Sequence, residues 1–366
     1  MKEIARFHDA VNQPWDIAAR IRQTGRKIIG YLCSYAPEEL IHAAGCHPMR
    51  LFSSGHQILV AENHLQSYCC SLVKGVLEDS LAGRLDFLDG TVFPHTCDSM
   101  QRLSDIWRMT GRYEFFADLL VPAKLDTPSS AAYLESVLAR FKADLETALE
   151  ITVTDRDLAS SIALFNRIRT LLTTISRHPG MIRGADMTAL VKGTMIMDRN
   201  EAATLLADVA ASLDHLPPPD PAVKRVILAG SVCDTPDLSD MVETAGGAVV
   251  GDDLCTGQRW FDGLVTEDHP PLTALAHRYR TRVICPAKHA GLTRRADHLR
   301  SLVDRTRADG VIFAMLKFCD PHAFDYPYLK ACLDTRGIKS MTLEIDDSRQ
   351  KQGQISTRID TFIQML

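Results

Sequence analysis

Ten cysteines in 366 residues are the side chains best placed to do chemistry. Two stretches position them alike. In "FPHTCDSMQRL" (93–103) an apolar run ends, Cys97 sits in the bend with Asp98 behind it, and a helical pattern begins. "VIFAMLKFCDPHAF" (311–324) repeats this with Cys319 and Asp320. A thiol at a helix start meets free N–H groups and the positive end of the helix dipole. Both favour thiolate, the form that binds metals and attacks electrophiles. Cys33, Cys97, Cys233, Cys255, Cys285 and Cys319 each close a predicted strand. A single cysteine there is most often a small buried hydrophobe, but six together point to a metal centre. No two cysteines have CxxC spacing, and no histidines accompany them at zinc spacing. Soft thiolates in that pattern favour an iron–sulfur centre over structural zinc.

The elements that must carry these thiols are short apolar runs followed by turn residues and a helix. "RKIIGYLCS" (26–34), "DFLDGTVFPHTC" (86–97) and "FFADLLVPAK" (115–124) form a first set, the last closing a first sheet. From Pro128 to about Leu216 the spacing is helical, with Ser, Thr and Asp at N-cap positions. "HLPPPDPAVK" (215–224) then breaks the chain. After it "KRVILAGSVC", "GGAVVGDDLC", "RTRVICPA", "DGVIFAMLKFC" and "KSMTLEID" are expected strands with helices between them, and "STRIDTFIQML" a closing amphipathic helix. Strand–helix alternation implies parallel, doubly wound sheets. The fold class is therefore α/β: residues 1–127 as an N-terminal α/β domain, 128–216 as a helical segment, and 217–366 as a C-terminal α/β domain. The two α/β halves look like repeats in pattern, though not in sequence.

Composition narrows the function. A net charge of −5 and the lack of any basic run argue against a nucleic-acid partner. No apolar stretch approaches the length of a bilayer span, and the start "MKEIARFHDAVNQPW" has no signal-peptide core. A cytoplasmic protein is expected, in which disulfides are not.

Six segments carry a resemblance: "GYLCSYAPEELIHAAGCHPMRLF", "CSLVKGVLED", "FPHTCDSMQRL", "GDDLCTGQRWFDG", "LKFCDPHAFDYPYLKACLD" and "GQISTRIDTFIQML". In content and order the chain resembles the 2-hydroxyacyl-CoA dehydratase D-component and benzoyl-CoA reductase family. The resemblance implies two flavodoxin-like domains holding a [4Fe–4S] cluster through three cysteines. By motif these are Cys70, before "SLVK", Cys97 in "TCDS" and Cys319 in "KFCDP"; Cys69 leaves the register of the first open. Three thiolates leave one iron open as a Lewis acid toward a substrate oxygen. The resemblance further implies loss of water from an acyl-CoA through a one-electron ketyl radical. It also implies a dimer, with a related subunit or with a second copy, and a separate ATP-hydrolysing iron–sulfur activator. The chain has no GxxxxGK[ST] loop of its own.

Ser34 is a candidate to bond a substrate oxygen, or else it caps the helix starting near Pro37. Glu38 is a candidate catalytic carboxylate, although Glu38 and Glu39 both suit the first turn of that helix. His42 is a weaker proton donor. Asp98 and Asp320 are candidates to support the neighbouring thiols. Arg259 is a candidate partner of a CoA phosphate, or a structural arginine. Surplus Cys255 and Cys285 leave open a second cluster, as in double-cubane reductases similar to this family. "TCDS" looks more like the dehydratase side than the reductase side. A non-catalytic electron-relay or scaffold subunit is the reading from another class.

Overall fold

The computed structural model describes residues 1–366 apart from 112, 232–236, 292 and 347–351, and the side chain of Gln352. Cys233 therefore lies outside the described residues. The chain opens with α1 (Lys2–Asn12) and α2 (Pro14–Gln23). A first lobe follows: β1 (Ile28–Tyr31), α3 (Glu38–Ala43), β2 (His47–Arg50), α4 (Ser71–Leu81), β3 (Gly90–Pro94), α5 (Asp98–Thr110) and β4 (Phe115–Leu119). Four helices come next, α6 (Pro128–Leu149), α7 (Asp155–Ser176), α8 (Gly184–Ile196) and α9 (Arg199–Ser212). The second lobe contains β5 (Lys224–Gly230), α10 (Leu238–Thr244), β6 (Gly247–Asp253), α11 (Gln258–Phe261), α12 (Pro271–Thr281) and α13 (Arg294–Thr306). It ends with β7 (Gly310–Leu316), α14 (Asp320–Asp334), β8 (Lys339–Ile345) and α15 (Gln352–Met365).

Each lobe holds a four-stranded sheet, and the orders are the same: β2-β1-β3-β4 and β6-β5-β7-β8. Every described pairing is parallel. The repeat suggested by the sequence pattern is thus a repeat of topology. Alternation along a strand sends neighbours to opposite faces. Ile28 packs into one buried cluster and Ile29 into another, and Ile227 and Leu228 divide likewise. Both faces are covered, as apolar parallel strands require.

One expected strand is corrected, and one strand was not expected. "RTRVICPA" forms no strand: residues 282–288 are irregular. The Val283 amide bonds to the Asp262 carboxylate (2.7 Å). Further on, His289 N–H donates to the Ala123 carbonyl and Leu125 N–H to the His289 carbonyl, both at 2.7 Å. This segment binds the chain leaving the first sheet instead of joining the second. Conversely, "HPMR" is strand β2, although its polar ends and proline mask it. Pro48 is tolerated because β2 is an edge strand of the first sheet.

The helices α6 to α9 are tied to both lobes. α1 lies across α8 so closely that a Cβ on Gly193 would sit 3.0 Å from Phe7. Thr154 and Asp157 cap α7 reciprocally, and Asp198 caps α9 through the amides of Asn200 and Glu201. Among the described residues no helix is long and apolar enough to cross a membrane.

Candidate functional site

In parallel sheets with this order, ligands meet the carboxyl ends of the strands where the order reverses. Here that point lies between β1 and β3 in one lobe, and between β5 and β7 in the other. Cys33 follows β1, Cys97 follows β3, Cys255 follows β6 and Cys319 follows β7. The two carboxyl edges face each other. Trp260 Nε1 of the second lobe donates to Glu38 Oε1 of the first (2.6 Å), and Arg282 Nη2 donates to the Ser34 carbonyl (2.8 Å).

Cys97 and Cys319 hold matching positions, each three residues beyond its strand and each the N-cap of the next helix. Cys70 is the N-cap of α4. The thiols of Cys70, Cys97 and Cys319 lie near enough to perturb one another electrostatically, and Cys33 and Cys255 belong to the same group. Burial dominates their protonation. It raises the Cys70 thiol against the pull of the Val73 amide, lifts Cys97 to about 12, and raises Cys319 further. Left to themselves these three would stay protonated; as thiolates they call for a bound cation. Among the described residues no three histidine, cysteine or carboxylate side chains converge on one metal ion.

The surroundings are cationic. Arg259, one of the largest fully buried side chains, places Nη2 3.4 Å from Cys255 Sγ and 3.3 Å from His322 Nε2. It also pairs with Asp253 (3.4 Å), which Arg295 holds from the other side (2.8 Å). Arg259 is therefore built into the interior, and the structural alternative for it holds. Within the Cys255–Cys285 pair, the interaction with Cys285, with the Arg259 guanidinium also acting, pulls the Cys255 thiol well below the usual range. The same interaction, followed by burial, pushes the Cys285 thiol up. His322 Nδ1 lies 3.2 Å from Cys319 Sγ, and burial followed by Arg259 keeps its imidazole neutral. Lys288 donates to the Val121 carbonyl (2.7 Å), and burial lowers its ammonium.

The remaining sequence candidates fall close by. Ser34 is not the cap of α3, whose N-cap is Pro37; its hydroxyl meets Arg282 Nη2 at 3.4 Å. Arg282 itself stacks over Tyr35 and Tyr279. Both oxygens of Glu38 are engaged, one by Trp260 and the other by Arg199 Nη2 (2.8 Å). Glu39 forms a buried pair with Arg169, and burial opposed by that guanidinium leaves its carboxyl lowered. His42 Nδ1 meets the Ser161 hydroxyl (3.0 Å). Asp98 is exposed and forms an ion pair with Arg102 (3.9 Å). Cys69 and Cys70 are both buried, and only Cys70 occupies the helix cap. Sequence reasoning missed Arg169, Arg199, Arg282 and Lys288, which lie far along the chain from their partners. It also missed His322, one turn after Cys319, and Asp253, two residues before Cys255, for which that spacing was the available signal.

These features define a two-lobed α/β protein with a half-buried, cation-lined group of thiols between paired parallel sheets. The sequence profile of the "2-hydroxyglutaryl-CoA dehydratase, D-component" family matches residues 33–366, and the chain belongs to that family of acyl-CoA dehydratase components. It is 28% identical to the (R)-phenyllactyl-CoA dehydratase beta subunit of Clostridium sporogenes, over 98% of this chain and 97% of that one. Identity to the lactoyl-CoA dehydratase subunit beta of Anaerotignum propionicum is 27%, over 99% and 100% of the two chains. It is 29% to one of the subunits of the benzoyl-CoA reductase of Thauera aromatica, over 92% and 90%.

Proposed function

We propose that this chain is a cluster-bearing, beta-type subunit of a 2-hydroxyacyl-CoA dehydratase, with Cys70, Cys97 and Cys319 holding a [4Fe–4S] cluster between the lobes. The observation that carries this is the placing of the three thiols. Each caps a helix, two stand at equivalent points of repeated sheets, and all perturb one another. Their raised thiols and largely enclosed positions fit the group, because binding iron would replace three protons with the charge that such thiolates need. The cluster would supply one-electron chemistry and an open iron for a substrate oxygen. The chain's part is to keep water out, aim helix N–H groups at the sulfurs, and hold cations around an anionic centre. Glu38 with Arg199 and Trp260, and Ser34 with Arg282, brace the turns that carry the site. A related subunit, or a second copy, completes the enzyme, and an ATP-hydrolysing activator supplies the electron. Elimination of water is preferred to reduction because three of the curated relatives at similar identity are named as 2-hydroxyacyl-CoA dehydratase beta subunits.

The test is anaerobic purification followed by iron and acid-labile sulfide analysis. Cys70→Ala, Cys97→Ala and Cys319→Ala should each lose most of the iron and the brown absorbance, while Cys332→Ser, inside α14, should retain both. Full iron in Cys97→Ala defeats the assignment, and twice the expected iron points to a double-cubane reductase.

A further inference from the structure

A cavity of about 270 Å³ opens beside the carboxyl end of β2, and its Arg50 lies near enough to Cys255 to act on that thiol. Trp15, Met49, Leu51, Phe52 and Phe87 give it an apolar wall, and Arg50 and Lys192 bring two cations to it. Arg50 is only 2% exposed, yet its Nε and Nη1 have no hydrogen-bond partner among the described residues. Its neighbours are ring faces: the guanidinium lies 5.6 Å from the centroid of Tyr31 and 5.9 Å from that of Phe52. The Lys192 ammonium also lies over Phe52, at 5.0 Å. The acidic side chain of the wall is already occupied. Asp79 accepts from the Ser54 amide and hydroxyl and from Arg84 Nε.

Other buried arginines show what is missing. Arg199 reaches Glu38 and several carbonyls, Arg278 reaches three carbonyls, and Arg295 reaches two carboxylates. Stacking on aromatic faces steadies a guanidinium but accepts none of its in-plane hydrogens. Leaving such donors buried and unmade costs more than making them gains. An apolar cavity of about 150 Å³ accommodates benzene, so this one has room for a ring or branched chain with a charged head.

We propose that this cavity is a binding site for a small organic carboxylate, with its apolar body against Trp15, Phe52 and Phe87 and its oxygens on Arg50. The planar fork of arginine matches a carboxylate's two oxygens.

The probe is 3-phenylpropionate, with the neutral 3-phenylpropanamide as its control and inorganic phosphate as a bare anion. The full-length chain is titrated by calorimetry and by fluorescence, since Trp15 lies in the wall. Saturable binding of the carboxylate is expected, at least tenfold tighter than the amide and accompanied by a change in Trp15 emission that Trp15→Phe abolishes. Arg50→Met should weaken binding at least tenfold, and Arg50→Lys should recover part of it, with unchanged circular dichroism confirming the fold. Phosphate binding as tightly as the carboxylate would show an anion site without the apolar half and overturn the proposal. So would equal binding of the amide, or no binding to the wild-type chain. If the Arg50 variants fail to fold, the wild-type titrations and Trp15→Phe still decide.

Discussion

At the scale of single residues, the structure separates groups that face the thiols from groups that hold the turns around them. Glu38 is the clearest case. Its carboxylate is buried, and its oxygens go to Trp260 and to the fully buried Arg199. Removing one partner of such a pair leaves a charge uncompensated, which costs about 3–5 kcal/mol. Glu38→Gln keeps the shape and loses the charge. We expect it to lower unfolding stability by about 3 kcal/mol, read as a drop in the urea midpoint at unchanged slope. A variant of full stability that has lost only turnover would instead make Glu38 a proton-handling group. Phe318, just before Cys319, is a second informative residue. It adopts a left-handed backbone with φ of 65°, rare for a bulky side chain. That turn sets the direction in which Cys319 enters α14.

At the scale of elements, β2 shows how a short edge strand is locked in place. His47 is buried and donates from Nε2 to the Ile196 carbonyl of α8 (2.8 Å). Burial, with Arg199 nearby, pushes its imidazole down to about 3. The unfolded chain takes up that proton near pH 6.5, whereas the folded chain does not. Folded stability is therefore fully present above about pH 6.5 and declines as pH falls toward 3. Between pH 6.5 and 5 this group contributes a loss of about 2 kcal/mol, at about 1.4 kcal/mol per pH unit. His47→Gln keeps a donor for Ile196 and cannot titrate. Its stability, measured by denaturant unfolding at pH 7 and pH 5, should fall less than that of the wild type. Identical slopes would mean that other groups carry the acid sensitivity.

At the scale of the whole molecule, one core runs through both lobes and the helices between them, so the thiol group depends on the lobes staying together. The reaction proposed above takes its reducing electron from a separate ATP-hydrolysing activator. Turnover of 2-hydroxyacyl-CoA esters is expected only when the chain, its companion subunit, an iron–sulfur activator and ATP are combined. Omitting ATP should abolish activity; sustained turnover by the isolated chain without it would move the reading to a self-contained enzyme.

The strands β1, β3 to β8 and the helical character of residues 128–216, with α6 and α7 as separate helices, were legible in the amino-acid sequence, because apolar runs and N-cap residues act over a few neighbours. So was the parallel α/β class, and so were Cys97 and Cys319, each set in a strand–turn–helix pattern that occurs twice. Family membership was legible in motif order. Residues 280–287 read as a strand because of the apolar run from Val283 to Cys285, yet their bonds go to Asp262 of the second lobe, to Ser34 after β1 and, through Arg280, to Leu125 and Thr127 in the chain leaving the first sheet. β2 was hidden because its His47 and Arg50 are buried polar residues, satisfied or steadied only by groups from α8, β1 and the segment after β2. The cations around the thiols, Arg169 and Arg199 bound to Glu39 and Glu38, and the unpaired guanidinium of Arg50 depend on distances in space that no local spacing encodes. Local preference therefore decided the elements, and tertiary packing alone decided which buried charges met and which were left without a partner.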